Sequence, residues 1–264
     1  AMNAMTSPGC RIVSLTVTEK GYGITSDGRL DREHPAIAVD LADPEAPTSV
    51  IGLIVAALSR RMTSGLPPFT VMSCDNLSHN GQKLRNAVLA FARDTRGEKL
   101  SRWIADNVTF PSTMVDRITP ASNAETAKLA AELTGREDHA AVETEPFSQW
   151  VIEDKFCAGR PEWEGAGVFF VDDVAPYENM KLRMLNGTHS MIAYSAQLSG
   201  KSFVRDVMTD PEHAALVRRH LAAAATTVKR SSIDLDAYAG ALAERFANPA
   251  IAHSTAQIAM DGTQ

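Results

Sequence analysis

Three residues in one short stretch, Lys181, Asn186 and His189, have side chains that could act together in catalysis. Polar groups set among apolar neighbours need hydrogen-bond partners or a function. On an α-helix opened by Pro176, Asn186 and His189 are neighbours at a spacing of three, and Lys181 lies ~80° from His189 around the axis. All three can then border one pocket. The apolar neighbours are Met180, Leu182, Met184, Leu185, Met191 and Ile192.

The chemistry of such a group is proton transfer to and from an alcohol. A lysine taken out of water loses its charge more easily, because desolvation lowers its pKa, and it can then accept a proton. An asparagine N–H can hold an oxygen that gains negative charge, and a histidine can bind a neighbouring hydroxyl. From spacing alone, an exposed lysine, a capping asparagine and a surface histidine remain the more common arrangement.

The pattern Lys-x-x-x-x-Asn-x-x-His within residues 180–190 resembles the signature of the mannitol dehydrogenase family. These are long-chain, metal-independent polyol and sugar-acid dehydrogenases, among them mannitol 2-dehydrogenase and fructuronate reductase (D-mannonate oxidoreductase). The resemblance implies that Lys181 is the general base and that Asn186 and His189 belong to the catalytic site. It also implies NAD as cofactor. NADP stays open, because the residue that reads the ribose lies outside the chain.

A strand and a turn stand at the start of the chain. Residues 11–19 are rich in β-branched side chains and predict a buried strand. The following Gly21-Tyr22-Gly23-Ile24-Thr25-Ser26 begins like a dinucleotide fingerprint, but the third glycine is missing and a turn follows where a helix is required. We therefore reject it as a phosphate cradle. The family resemblance implies that Thr18 and Glu19 face the cofactor.

A second functional stretch follows the strand predicted at 69–73. The loop 74–81 precedes a helix predicted at 82–94, and this is where α/β sheets place ligands. The resemblance implies that Asn76 binds the cofactor and, with the asparagine of the lysine helix, holds the reacting oxygen. Helix capping is the alternative for Asn76. A zinc site at Cys74 and His79 is a further alternative, but two more ligands would be needed.

The substrate pocket is predicted from the segment 110–120. Its Phe-Pro-x-x-Met-Val-Asp-Arg-Ile core resembles the family's, which implies that Asp116 binds a substrate hydroxyl or shapes the proton path. Without the resemblance, Asp116 and Arg117 would be assigned to a surface loop. A carboxylate substrate would need an extra cation, for which Arg183 is the candidate.

Composition limits the classes of function. With 264 residues, 44% hydrophobic residues and a net charge of −6, the chain has room for real cores and is not expected to bind nucleic acid. It has no apolar run long enough to span a membrane and no visible signal peptide. Its three cysteines lie far apart, as in a reduced cytoplasmic protein. His213, His220 and His253 are expected at the surface.

The expected fold class is α/β: a partial Rossmann-like sheet over residues 1–144, followed by a mostly α-helical domain over 145–264, which is incomplete. Members of the resembled family are nearly twice as long and begin with a glycine-rich dinucleotide motif, which this sequence does not contain. We therefore expect a fragment without the cofactor-binding start and the C-terminal tail.

The hypothesis from sequence is a metal-independent, NAD(P)-dependent oxidoreductase that interconverts a polyol or aldonate with its keto sugar. The small-molecule pair is D-mannitol and D-fructose or D-mannonate and D-fructuronate. One alternative is a non-catalytic fragment of such an enzyme. The other is a zinc-dependent dehydrogenase that uses Cys74.

Overall fold

The computed structural model describes residues 1–229 and 233–261. The chain packs as two compact units. Unit 1 consists of Ala1–Val115 and Gln149–Ala175, and unit 2 of Asp116–Ser148 and Pro176–Gln264. The packing thus divides the chain differently from the boundary predicted after residue 144. The reason is hydrogen bonding: the segment 149–175 supplies two strands, one of which pairs with the strand that begins at Thr113, while the other pairs with the first.

Unit 1 contains two small sheets and five helices. Strands β1 (Ile12–Leu15) and β2 (Thr70–Ser73) are parallel, with Leu15 opposite Ser73. A second sheet has the order β3–β4–β5, in which β4 and β5 are parallel. These strands are β3 (Thr113–Asp116), β4 (Gln149–Glu153) and β5 (Val168–Val171). The helices are α1 (Met2–Met5), α2 (Pro35–Ala42), α3 (Val50–Thr63), α4 (Asn80–Arg96) and α5 (Glu98–Asn107).

Apolar periodicity explains most of these elements. Strand β2 is buried along its whole length, and one face of α3 and one face of α4 pack in the same core. The side chain of Ser49 begins α3 by accepting a hydrogen bond from the Gly52 N–H at 3.0 Å. The Rossmann-like architecture expected for this part is confirmed.

Local sequence patterns give two wrong predictions in this half of the chain. The polar character and the three prolines of residues 27–47 predict a loop, but the segment contains α2, which Pro35 opens at its first turn. The run Ala141-Val142-Glu143-Thr144 predicts a short strand, which does not form. Strand β4 was not predicted, because Gln149-Trp150-Val151-Ile152-Glu153 is too short to show a clear alternation.

Unit 2 is helical, as predicted. Its core is formed by the apolar faces of its longer helices, including Met184, Ile192, Leu221 and Phe246, all 2% exposed or less. A π-helical segment, Lys181–Asn186, interrupts the helical run between the second and third of the seven helices described for this half of the chain. These are α6 (Ala124–Thr134), α7 (Ala175–Met180), α8 (Gly187–Ser199), α9 (Val204–Met208), α10 (Pro211–Thr227), α11 (Leu235–Phe246) and α12 (Thr255–Asp261).

Within the described part of the chain, no helix has both the length and the apolar character needed to cross a membrane.

Candidate active site

The lysine stretch is helical, but it is not a continuous α-helix. Helix α7 ends at Met180, and the next six residues, Lys181–Asn186, form a π-helix that leads directly into α8. The Gly187 N–H donates to the carbonyl oxygen of Leu182, five residues back. In a π-helix the backbone bond joins residues i and i+5, so the turn is wider than an α-turn.

The π turn changes which side chains share a face. Residues five apart in an α-helix point about 140° away from each other, whereas in a π turn they are neighbours along the axis. Lys181 and Asn186 are five apart and both half-buried, so the turn brings them to the same side. The ~80° angle predicted between Lys181 and His189 assumed an α-helix throughout and is wrong for this reason.

His189 is buried and neutral. Its side chain is 8% exposed, and its ring centroid lies 4.8 Å from that of Phe246 and 4.9 Å from that of His253. Burial, and next the interactions with His253, Arg245 and Lys181, together lower the pKa of His189 from 6.5 to about 3. The alternative of a surface histidine at this position is therefore wrong.

The Nε2 atom of His189 has no hydrogen-bond partner among the described residues, and neither has the Nδ1 atom of His253. Both rings line a narrow cavity, together with Arg245 and Asn248. A neutral imidazole can accept or donate one hydrogen bond at each nitrogen. Nε2 of His189 thus lacks a partner in the described part of the chain, beside a cavity of only about 10 Å³.

His253 was expected at the surface, and this expectation was wrong. Its ring is partly buried against His189, and burial lowers its pKa. The Val204 N–H donates to the His253 carbonyl at 3.0 Å, which fixes the backbone at this position. His213 and His220 are half-buried as well, and His213 bonds Asp210 at 3.0 Å. A single histidine carries no sequence signal that separates a buried position from an exposed one.

Asp116 is the centre of a buried ionic cluster in unit 2. Its side chain is 2% exposed, so the alternative of a surface loop is wrong. Arg245 donates to both of its oxygens, at 2.7 and 3.1 Å, and Tyr238 donates its hydroxyl proton to Oδ2 at 2.7 Å. A substrate hydroxyl at Asp116 would compete with these bonds.

Glu145 completes the cluster. Arg245 donates to its two oxygens at 2.9 and 2.7 Å and stacks over the ring of Phe147 at 4.0 Å. The two carboxylates raise the pKa of Arg245, against the opposing effect of burial. Asp116 was predicted from the sequence, but Glu145, Tyr238 and Arg245 were not, because 100 and 129 residues separate Arg245 from Glu145 and Asp116.

Arg183 lies in the π segment but is exposed, as is Leu182. Lys181 and Asn186, by contrast, are half-buried. Arg183 is therefore more exposed than Lys181 and Asn186, and its guanidinium lies in solvent, where it could bind an anionic group.

In unit 1, the loops that follow β1 and β2 are joined by Asp75. Its carboxylate accepts hydrogen bonds from the Val17 N–H at 2.9 Å, the Thr18 N–H at 3.0 Å and the Tyr22 hydroxyl at 2.6 Å. Because β1 and β2 are parallel, both loops lie at the carboxyl end of the strands. Burial, and next the bond to Asp75, raise the pKa of Tyr22.

The predicted cofactor residues sit on these two loops. Thr18 is exposed and has a φ of 65°, a conformation that is rare for residues other than glycine. Glu19 starts a short 3-10 turn and is half-buried, and Asn76 is exposed. The accessible edge of unit 1 thus carries Thr18 and Asn76.

Asn80, which sequence analysis did not single out, holds the β2–α4 loop. It is 1% exposed, and its amide donates to the carbonyl oxygens of Asp75 and Thr113 at 3.1 and 2.9 Å. Gly81 lets the helix approach closely, because a Cβ atom there would lie 2.4 Å from the Phe110 carbonyl oxygen. Residue type and position in the loop do not by themselves distinguish Asn80 from Asn76.

The rejected phosphate cradle at Gly21–Gly23 and the alternative of a zinc site at Cys74 can both be compared with the structure of unit 1. Gly21 lies in a 3-10 turn, and the left-handed Gly23 leads into a bridge between Ile24 and Leu30 rather than into a helix, as expected when the phosphate cradle was rejected. Burial raises the pKa of the Cys74 thiol to about 11. Among the described residues, no group of three or more His, Cys, Asp or Glu could hold a metal ion.

Comparison with known proteins identifies the family. The mannitol dehydrogenase Rossmann domain matches residues 1–165, and the mannitol dehydrogenase C-terminal domain matches residues 173–264. The chain belongs to the mannitol dehydrogenase family. The resemblance drawn from the lysine stretch is thereby confirmed.

Relatives of this mannitol dehydrogenase family member include a D-mannonate oxidoreductase from Escherichia coli, 50% identical over the whole chain and 54% of the relative. A crystal structure of D-sorbitol dehydrogenase is 42% identical with a TM-score of 0.90, covering 98% of this chain and 54% of that one. A Pseudomonas fluorescens mannitol 2-dehydrogenase, solved with NAD and D-mannitol, is 45% identical with a TM-score of 0.87, covering 97% and 53%. The chain spans about half the length of these relatives.

Proposed function

We propose that this chain provides the catalytic groups of an NAD(P)-dependent oxidoreductase that interconverts an open-chain polyol or aldonate with its keto sugar. Membership of the family supports the class of reaction. The relatives named for mannitol and for mannonate support the class of substrate. No metal ion takes part in the proposed reaction, because a lysine performs the proton transfer.

The observation that carries the proposal is the π turn with its half-buried Lys181 and Asn186. As a neutral amine, Lys181 accepts the proton of the substrate hydroxyl when the adjacent carbon loses its hydride. In the reverse direction the ammonium form returns the proton to the carbonyl oxygen. The amide of Asn186 donates to the same oxygen while it carries negative charge. NAD(P), when bound, supplies the hydride acceptor or donor.

His189 and Asp116 orient the substrate in this proposal. His189 is neutral and has an unpaired buried nitrogen, which suits a hydroxyl beside the reacting carbon. Asp116 acts through its bonds to Arg245 and Tyr238, and it shapes the polar surroundings of the site. Arg245 and Glu145 are therefore positioning residues.

For unit 1, we assign Thr18, Glu19 and Asn76 to the cofactor, and Asn76 also to the reacting oxygen, as the family resemblance implies. The accessible positions of Thr18 and Asn76, on loops at the carboxyl ends of two parallel strands, fit the nicotinamide end of a dinucleotide. The turn at Gly21–Gly23 does not fit its pyrophosphate, since no helix follows it.

The substrate pair is tested by following NADH oxidation with fructose and with fructuronate. The assay uses this chain and a version extended to the length of its relatives, each beside Lys181→Ala and a control, Lys128→Ala. Lys128 is an exposed residue of α6 that pairs with Glu132. We expect turnover with one keto sugar, lost in Lys181→Ala and kept in the control and in the presence of a chelator. Turnover that the chelator removes would contradict the metal-free mechanism.

A further inference from the structure

The π segment separates two residues of the proposed reaction by an unusual spacing. Lys181 and Asn186 are five positions apart. In an α-helix, residues four apart lie within about 40° of each other around the axis, but residues five apart differ by about 140°. A regular helix with this sequence could not present both side chains to one substrate oxygen.

The burial pattern on either side of the segment shows that the two flanking helices keep their buried faces on the same side. Met180, Met184 and Thr188 recur every four residues, and each is 0% exposed. Leu182 is 52% exposed and lies on the opposite side. The wide turn therefore holds one more residue than an α-turn and turns that part of the chain outward, while α7 and α8 keep their buried faces in the core of unit 2.

We propose that the extra residue of the π turn is a positioning device, which brings the base Lys181 and the amide of Asn186 to one face without moving the helices on either side. This inference rests on the function proposed above for the two residues. π turns inside α-helices are frequent at functional sites, and here the geometry gives a specific reason for one.

Deleting a residue from the π turn and inserting a residue into it should have different effects. Deleting one residue between Lys181 and Asn186 leaves a spacing of four, and a regular α-helix then keeps both side chains on one face. Inserting one residue gives a spacing of six, which neither an α-turn nor a single π turn can align. A deletion inside this helix should be tolerated, and an insertion should not.

The test compares four variants in the longest version of the protein that shows turnover. They are a deletion of Leu182, the substitution Leu182→Ala, an alanine inserted between Leu182 and Arg183, and Lys181→Ala. Leu182 is suitable because its side chain is exposed and has no role in the proposed chemistry. The readouts are kcat for keto-sugar reduction, its pH dependence and the thermal unfolding midpoint. A crystal structure of the deletion variant gives a readout that does not depend on activity.

We expect Leu182→Ala to behave like the parent. The deletion variant should keep kcat within about tenfold, the same pH dependence and an unfolding midpoint that is no lower, with Lys181 and the amide on one face of a continuous α-helix. The insertion should lower kcat by about 100-fold or more, as the loss of an oxyanion donor does.

A deletion variant that folds but is as inactive as Lys181→Ala would overturn the inference. So would a deletion variant that does not fold although Leu182→Ala does, or an insertion variant with parental kcat. If Lys181→Ala itself retains parental kcat, the proposed function fails instead. In that case the crystal structure of the deletion variant still decides whether the π turn sets the alignment of the two side chains.

Discussion

Arg245 and Asp116 form a two-point ion pair inside unit 2, with N–O distances of 2.7 and 3.1 Å. The Arg245 side chain is 6% exposed and the Asp116 side chain 2%. The same guanidinium also bonds Glu145, so one cation serves two buried carboxylates. The family resemblance led to Asp116 as a substrate residue, and the structure shows that its orientation depends on Arg245.

Replacing Arg245 by methionine should destabilise the protein strongly. Removing one partner of a buried ion pair leaves an uncompensated charge, which costs about 3–5 kcal/mol. Here two carboxylates, those of Asp116 and Glu145, would lose their cation. Urea unfolding of Arg245→Met measures the loss.

The control for this variant is Arg93→Met, whose guanidinium pairs with Glu98 at the surface at 2.8 Å. Solvent screens such a pair, so the unfolding midpoint of Arg93→Met should be close to that of the parent protein. A loss below about 1 kcal/mol for Arg245→Met would show that the buried cluster does not need its cation.

The buried His189 should make stability depend on pH. Its pKa is about 3 in the folded state and 6.5 without the protein environment. As the pH falls below 6.5, the unfolded chain takes up a proton that the folded chain refuses. The stability is therefore fully present above that pH and falls by up to about 1.4 kcal/mol per pH unit towards pH 3.

Urea unfolding at several pH values tests this dependence with His189→Asn. The variant should show a shallower loss of stability in acid than the parent protein. His139→Asn, at an exposed position in unit 2, is the matched control and should leave the slope unchanged. An unchanged slope in His189→Asn would contradict the neutral, buried state.

Gly81 should not tolerate a side chain. An added Cβ would lie 2.4 Å from the Phe110 carbonyl oxygen and 2.7 Å from the Ser112 nitrogen, both of which are backbone atoms. Gly81→Ala should therefore destabilise the protein by about 1–3 kcal/mol. Gly165→Ala is the control, because no atom lies within 4 Å of its added Cβ. Equal unfolding midpoints for the two variants would show that the contact can relax.

Arg183 should affect the choice between the two substrate classes. Its exposed guanidinium can pair with the carboxylate of a sugar acid, a group that the neutral keto sugar does not have. If fructuronate is the substrate, Arg183→Gln should lower kcat/KM for it by about tenfold or more and leave kcat/KM for fructose unchanged. Equal effects on both sugars would remove Arg183 from substrate recognition.

The sequence predicted the elements and chemical groups that depend on local patterns. Strand β2 and helix α4 match the strand predicted at 69–73 and the helix predicted at 82–94, and the family follows from the Lys181–His189 stretch. The π turn could not be predicted, because its residues are as compatible with an α-helix. The partners of Asp116 were missed for another reason. Arg245 is 129 residues away along the chain, and only the packing of unit 2 brings the two together.

The central claim is that Lys181 is the base, and chemical rescue tests it most directly. The alanine substitution removes the amine and leaves a space at the first residue of the π turn that a small amine such as methylamine could enter. We predict that Lys181→Ala loses at least about 100-fold in kcat. Added methylamine should restore part of the lost kcat, in proportion to the concentration of its uncharged form. Lys128→Ala should keep the parental kcat and should not respond to methylamine. Parental kcat in Lys181→Ala without any amine would contradict the account.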